Sequence, residues 1–195
     1  MSNSKIPKAI FSWLIIFSII LLVSGCARWP DGPGPGPDET KYQLEITVEV
    51  KGEINTDKGI YYIVLDADSE SIDGPVADIN FWDDDYYYIK LENDFFYFAQ
   101  KKEGSPEIQL VDSLYSGNKL QVTIALSDLG NPNSLDINVL TTDSDNNIYD
   151  SLDNSYFTIN TNLGSKPPIN DQEGDSGDGG VDFDIVKVTA QITIP

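Results

Sequence analysis

Every periodic segment of this chain repeats with period two. Near one end Tyr42, Leu44, Ile46, Val48 and Val50 alternate with Gln43, Glu45, Thr47 and Glu49; near the other Val186, Val188, Ala190, Ile192 and Ile194 alternate with Lys187, Thr189, Gln191 and Thr193. Successive side chains of a strand point to opposite faces, so both segments read as strands with one face buried, and their matching patterns make them candidate neighbours. Leu120, Val122, Ile124 and Leu126 alternate in the same way, and Leu135, Ile137 and Val139 give another strand. Gly59 to Leu65 is apolar on both faces, the mark of a central strand. Two aromatic strands, Tyr86 to Leu91 and Phe95 to Gln100, flank a hairpin loop at Glu92-Asn93-Asp94, where Asn and Asp tolerate left-handed backbone. Tyr156 to Ile159 reads as a short strand, and Glu107 to Leu114 fits a short strand or a helical turn equally. Ser127 to Gly130 reads as one helical turn, capped by Ser127 and stopped by Gly130. With roughly eight to ten short strands and no amphipathic helix, residues 41–195 are expected to be all-β, an antiparallel β-sandwich. The polar, glycine-rich stretch 162–182 is expected to be a flexible acidic loop.

The first residues carry an address. Lys5 and Lys8 precede an apolar run from Ala9 to Gly25 that is interrupted by Ser12 and Ser18. A basic, then apolar, then small-residue order is that of a secretory signal peptide. The run is nearly long enough to span a bilayer, but only Arg28 follows it as a basic residue before the proline stretch. Val23-Ser24-Gly25-Cys26 holds the only cysteine and resembles the lipobox of bacterial lipoproteins. The resemblance implies removal of residues 1–25, lipid on Cys26, and a protein held on a membrane of the cell envelope, at the surface or in the periplasm. Durable anchoring takes two acyl signals. Pro30-Asp31-Gly32-Pro33-Gly34-Pro35-Gly36-Pro37-Asp38 can form neither helix nor sheet, so 26–40 reads as the lipidated cysteine and a tether.

Charge and missing side chains narrow the function. The chain has 12 basic and 32 acidic residues; without Lys5 and Lys8 the balance is 10 against 32, or −22. Such a field repels nucleic acid, which is excluded as a partner. There is no histidine, and the one cysteine is taken by lipid, so the usual acid–base and nucleophilic arrangements are absent and a non-enzymatic role is expected.

Two acidic loops are candidate calcium sites. Asp66, Asp68 and Glu70, and Asp143, Asp145 and Asn147, place oxygen ligands at alternate positions, and hard carboxylate oxygens suit calcium. Neither is an EF-hand: the second has Ile148 and Asn154 where that loop needs glycine and glutamate. The alternative for each is a turn-forming loop. Trp82, Tyr86 and Tyr88 beside Asp84 are candidates for a ligand face, since stacked rings next to carboxylates suit the apolar face and hydroxyls of a sugar. The other reading of these rings is core.

A second resemblance covers about half of residues 41–195. Ile63-Val64-Leu65-Asp66-Ala67-Asp68, the stretch from Ser116 through Leu126-Ser127-Asp128-Leu129-Gly130, Asp136-Ile137-Asn138-Val139-Leu140-Thr141 and Asp150-Ser151-Leu152 are together similar to the DOMON-like superfamily, which includes family 9 carbohydrate-binding modules. The resemblance implies a sandwich that binds sugars in some members and haem in others. Haem needs axial His or Met, and Met1 leaves with the signal peptide, so no haem is expected. The resulting expectation is a non-catalytic binding module with a glycan as ligand; the alternative is a structural or assembly protein whose partner is an envelope protein.

Overall fold

The structure is a computed structural model that describes residues 42–68, 74–152, 156–162, 169–170 and 179–194, all within the unit Thr40–Pro195. Cys26, the tether and most of the 162–182 stretch lie outside the described residues. The described residues contain twelve strands: β1 (Gln43–Val50), β2 (Ile60–Asp66), β3 (Tyr87–Glu92), β4 (Phe95–Gln100), β5 (Ile108–Leu110), β6 (Leu114–Ser116), β7 (Lys119–Ala125), β8 (Ser134–Thr142), β9 (Ile148–Ser151), β10 (Phe157–Asn160), β11 (Ile169–Asn170) and β12 (Ile185–Thr193). They form two antiparallel sheets, one in the order β11-β12-β1-β7-β6 and one in the order β10-β8-β2-β3-β4-β5, with β9 also on β8. The two inner faces share one core, so the expected all-β sandwich is the observed fold.

β1 shows how the alternation becomes architecture. Leu44, Ile46, Val48 and Val50 are fully buried while the residues between them are half-exposed. Burying each such side chain stabilises the fold by about 1.5–3 kcal/mol. β1 lies between β7 and β12, so the opening and closing strands are neighbours. β12 departs from strict alternation at its start: the register shifts at Glu49/Val50, Ile185 pairs with Val50 and is buried, and Val186 is left out of the core. A bulge of this kind moves one residue out of phase without losing the ladder.

All seven residues of β2 are buried. Tyr61, Ile63 and Leu65 face the shared core, whereas Ile60, Tyr62 and Val64 face outward into a second cluster with Ile79, Trp82, Tyr86 and Leu140. Residues 74–86 thus form a partial third layer over the outer face. The short 3-10 helix Ile79–Phe81 lies in it, held by Asp78, whose carboxylate accepts from Asn80 N.

Several local expectations change. The turn at Leu126–Leu129 is a 3-10 helix whose N-cap is Ala125 with no side-chain cap, so Ser127 does not cap it; Gly130, at φ 79°, ends it as expected. Within Glu107–Leu114 the strand reading holds, since Ile108–Leu110 form β5 and, after a bend at 111–112, Leu114 begins β6. Part of the 162–182 stretch is sheet, since Ile169 and Asn170 pair with β12. Asn93 and Asp94, at φ 50° and 70°, make the two-residue turn between β3 and β4.

Asp184 is 1% exposed, and neither carboxylate oxygen accepts a hydrogen bond; Lys51 Nζ at 3.4 Å is its counter-ion. Removing the partner of a buried charge is costly. Lys51→Met is therefore expected to lower stability by about 1–3 kcal/mol, and Asp184→Asn added to it to recover most of the loss, as measured by urea unfolding.

Candidate functional site

The outer face of the β2 sheet gathers residues that the sequence keeps apart. Trp82 is 6% exposed, donates Nε1–H to Val76 O at 2.8 Å, and packs edge-on against Tyr62 at 5.5 Å. Tyr86 is also buried, and desolvation beside Asp66 and Asp83 pushes its hydroxyl well above the usual range. Neither ring is offered to a ligand, which corrects the expected stacking face at both positions: the residues 74–86 fold back and turn these rings into core. Tyr88 is half-buried, donates its hydroxyl to Glu107 Oε1 at 2.9 Å, and is pushed up to about 12 by desolvation and that bond. Asp84 is exposed on the same segment.

The two acidic loops stand at opposite ends of the β2–β8 ladder. Asp66 pairs with Asp136, and Asp143 follows β8 at its far end. Seven residues of strand separate them by roughly 20 Å. In the Asp143 loop the Asp143 carboxylate accepts from Asp145 N, Asn147 N and Asn147 Nδ2 at 2.7–2.8 Å, and the bonds from Asn147 hold it below the usual carboxylate range. Three of its roughly four acceptor sites are taken by its own turn. At the other end Asp66 Oδ1 accepts from Asp68 N at 3.0 Å, and Asp136 Oδ1 accepts from Thr158 Oγ1 at 2.5 Å. Burial raises the Asp66 carboxyl to about 6, with Asp68, Asp136 and Asp85 adding to the shift. Asp66 thus lies within electrostatic reach of Asp85 and Tyr86. Among the described residues no three Asp, Glu, His or Cys side chains converge on a metal-binding geometry.

Asp136 and its neighbour Asn138 were not legible as site residues. Alternating with Leu135, Ile137 and Val139 they read as solvent-facing, yet they are 6% and 0% exposed because residues 74–86 cover that face. The signal for a cover lay in β2, which is apolar on the same side.

A cleft of about 360 Å³ lies where the β3–β4 turn meets β5 and β6. Phe95, Gln109, Val111, Ser113 and Leu114 line it, together with Asp94 and Tyr115 at one wall. Asp94 Oδ1 accepts from Thr56 Oγ1 and Tyr115 Oη, bonds that hold its carboxyl below the usual range. Phe95 is 49% exposed, and Ser113 Oγ is buried without a hydrogen-bond partner. Comparison of the chain with protein-family models, curated proteins and solved structures finds no match.

The sign of the Asp66 shift gives a test. A folded carboxyl raised from the unfolded 3.8 to about 6 binds more protons than the unfolded chain between those values. In the presence of a chelator, stability is expected to fall by about 1–3 kcal/mol as pH rises from 4 to 6 and then level off. Denaturant unfolding across that window should show a flatter profile for Asp66→Asn.

Proposed function

We propose that the protein is an exported, lipid-anchored, non-catalytic binding module, and that its ligand is a glycan held in the cleft at the β3–β4 turn. The observation that carries this reading is the cleft itself, which is lined by the half-exposed ring of Phe95, the exposed Gln109 and the hydrogen-bonded pair Asp94 and Tyr115. A ring for the apolar face of a sugar and a few fixed polar groups for its hydroxyls are what such a ligand requires. The sandwich agrees at the level of fold with the carbohydrate-binding resemblance. The strong negative charge favours a neutral glycan over a polyuronate or sulfated one.

The anchor is the Cys26 lipid. It would hold the domain at the membrane while the proline–glycine stretch gives it reach. Cys26→Ala should move the protein out of the membrane fraction with its sandwich intact; retention of the variant in membranes would point to an uncleaved apolar helix instead.

One observation favours the alternative of an envelope-protein partner. β5 ends its sheet, and Ile108 and Val111 next to the cleft are 59% and 84% exposed. An open strand edge with apolar side chains suits pairing with an extended segment of another protein. Polysaccharide pull-downs and glycan arrays separate the two readings. Phe95→Ala is expected to weaken glycan retention about tenfold, as loss of one stacking ring implies. Absence of retention of the wild-type chain on any polysaccharide would reject the glycan in favour of the protein partner.

A further inference from the structure

Asp66 and Asp136 stand opposite each other on the outer face of the β2–β8 ladder, 5% and 6% exposed. Side chains at directly opposed positions of an antiparallel pair lie about 5 Å apart at Cβ, so two carboxylates there repel each other in a partly dry space. Among the described residues no Lys or Arg forms an ion pair with either one. Each accepts one hydrogen bond at Oδ1, Asp66 from Asp68 N and Asp136 from Thr158 Oγ1.

Asn138 adds an independent observation. It lies two residues along β8 from Asp136, on the same face, and is 0% exposed. Its Nδ2 donates to Pro75 O at 2.8 Å, which fixes the amide, and its Oδ1 is buried without any partner in the space between the sheet and residues 74–86. A buried acceptor of this kind is stable only when a donor or a cation reaches it. Asp68 and Asp85 extend the negative field, since both act on Asp66. The donors are all oxygens, two charged and one neutral at the centre, which suits a hard cation and not zinc or copper.

We propose that Asp66, Asp136 and Asn138 bind a divalent cation of the calcium class beneath residues 74–86. The cation neutralises the carboxylate pair, satisfies the Asn138 oxygen and ties the covering segment to the sheet through the adjoining Asp85 and Tyr86. Two carboxylates and an amide leave the remaining coordination positions to water, as hard cations accept.

The site lies beside Tyr86, so terbium serves as a probe whose luminescence is excited through protein aromatic groups. Titration of the full chain in detergent with terbium should give luminescence that added calcium displaces. Asp66→Asn and Asp136→Asn, each close in shape to the native residue, should weaken terbium binding by at least about tenfold, because affinity follows ligand charge. Asp85→Asn, at an exposed position that leaves the core untouched, should weaken it by a smaller factor, and Asp143→Asn should leave it unchanged. Near-UV circular dichroism verifies that each variant is folded, and thermal melting should show calcium raising Tm in the wild type and not in Asp66→Asn. No luminescence with the wild-type chain, luminescence that survives both Asp66→Asn and Asp136→Asn, or luminescence lost only in Asp143→Asn would overturn the proposal.

Discussion

The β2–β8 ladder is buried on both faces, and that requirement places most of the molecule. An apolar face against water is unfavourable in proportion to its area, so a strand apolar on both sides needs a layer on each. On the inner side the layer is the second sheet, built on β1 with β7 and β12 beside it. On the outer side no third sheet exists among the described residues. Residues 74–86 supply the layer instead, carrying Ile79, Trp82 and Tyr86 onto Ile60, Tyr62 and Val64.

The cover has an electrostatic consequence. β8 presents Asp136 and Asn138 on the same side as its apolar Leu140, and β2 ends in Asp66. Once residues 74–86 lie over this face, polar groups that suit water are withdrawn from it, and desolvation dominates their behaviour. Tyr86 and Asp66 shift upward for that reason first and because of neighbouring acids second. Asp143, at the other end of the ladder, shifts the opposite way because it stays near solvent and collects donors from its own loop. Two acidic loops that look alike in sequence thus differ physically: one is a closed turn, while the other starts from a buried Asp66 that stands opposite a second buried carboxylate, Asp136.

What was legible in the sequence depended on range. The alternation in β1, the two-sided apolar character of β2, the Asn93-Asp94 turn and the stop at Gly130 are local, and each is present in the fold. The sandwich follows from them, because strands with one wet face and a central strand with none have few other ways to close a core. Core was one of two readings open for Trp82 and Tyr86, and nothing in Trp82-Asp83-Asp84-Asp85-Tyr86 decides for it by announcing that this acidic stretch folds back over its own sheet. Ser127 failed as a cap for a related reason: β7 runs into the turn, and Ala125 already holds the cap position. The cleft could not be read either, because it joins Asp94, Ser113 and Tyr115 only after a hairpin and a crossing between sheets.

The two sites sit at opposite ends of the sandwich, which bears on how they would work together. Asp94 bonds to Thr56, just past the end of β1, and the β3–β4 turn lies beyond the start of β2, so the cleft belongs to the end where β1 leaves its sheet. Asp66 belongs to the other end, where β2 finishes and where the described chain enters at Tyr42, whose carbonyl accepts from Leu126 N. A strand of seven residues spans roughly 20 Å, so a cation at Asp66 exerts no direct contact on a ligand at Phe95. Any influence would pass through the packing of the outer aromatic cluster, in which Tyr88 joins Trp82 on one side and, through Glu107, reaches the segment leading into β5 on the other. Loading of the cation would then set the rigidity of the cover while the cleft keeps its own shape, anchored by Asp94 between Thr56 and Tyr115. Coupling between the two is therefore expected to be weak, and the placement divides the labour between the ends. On the proposed assignments, the end that receives the entering chain would also fix the cover, while the other end carries the cleft.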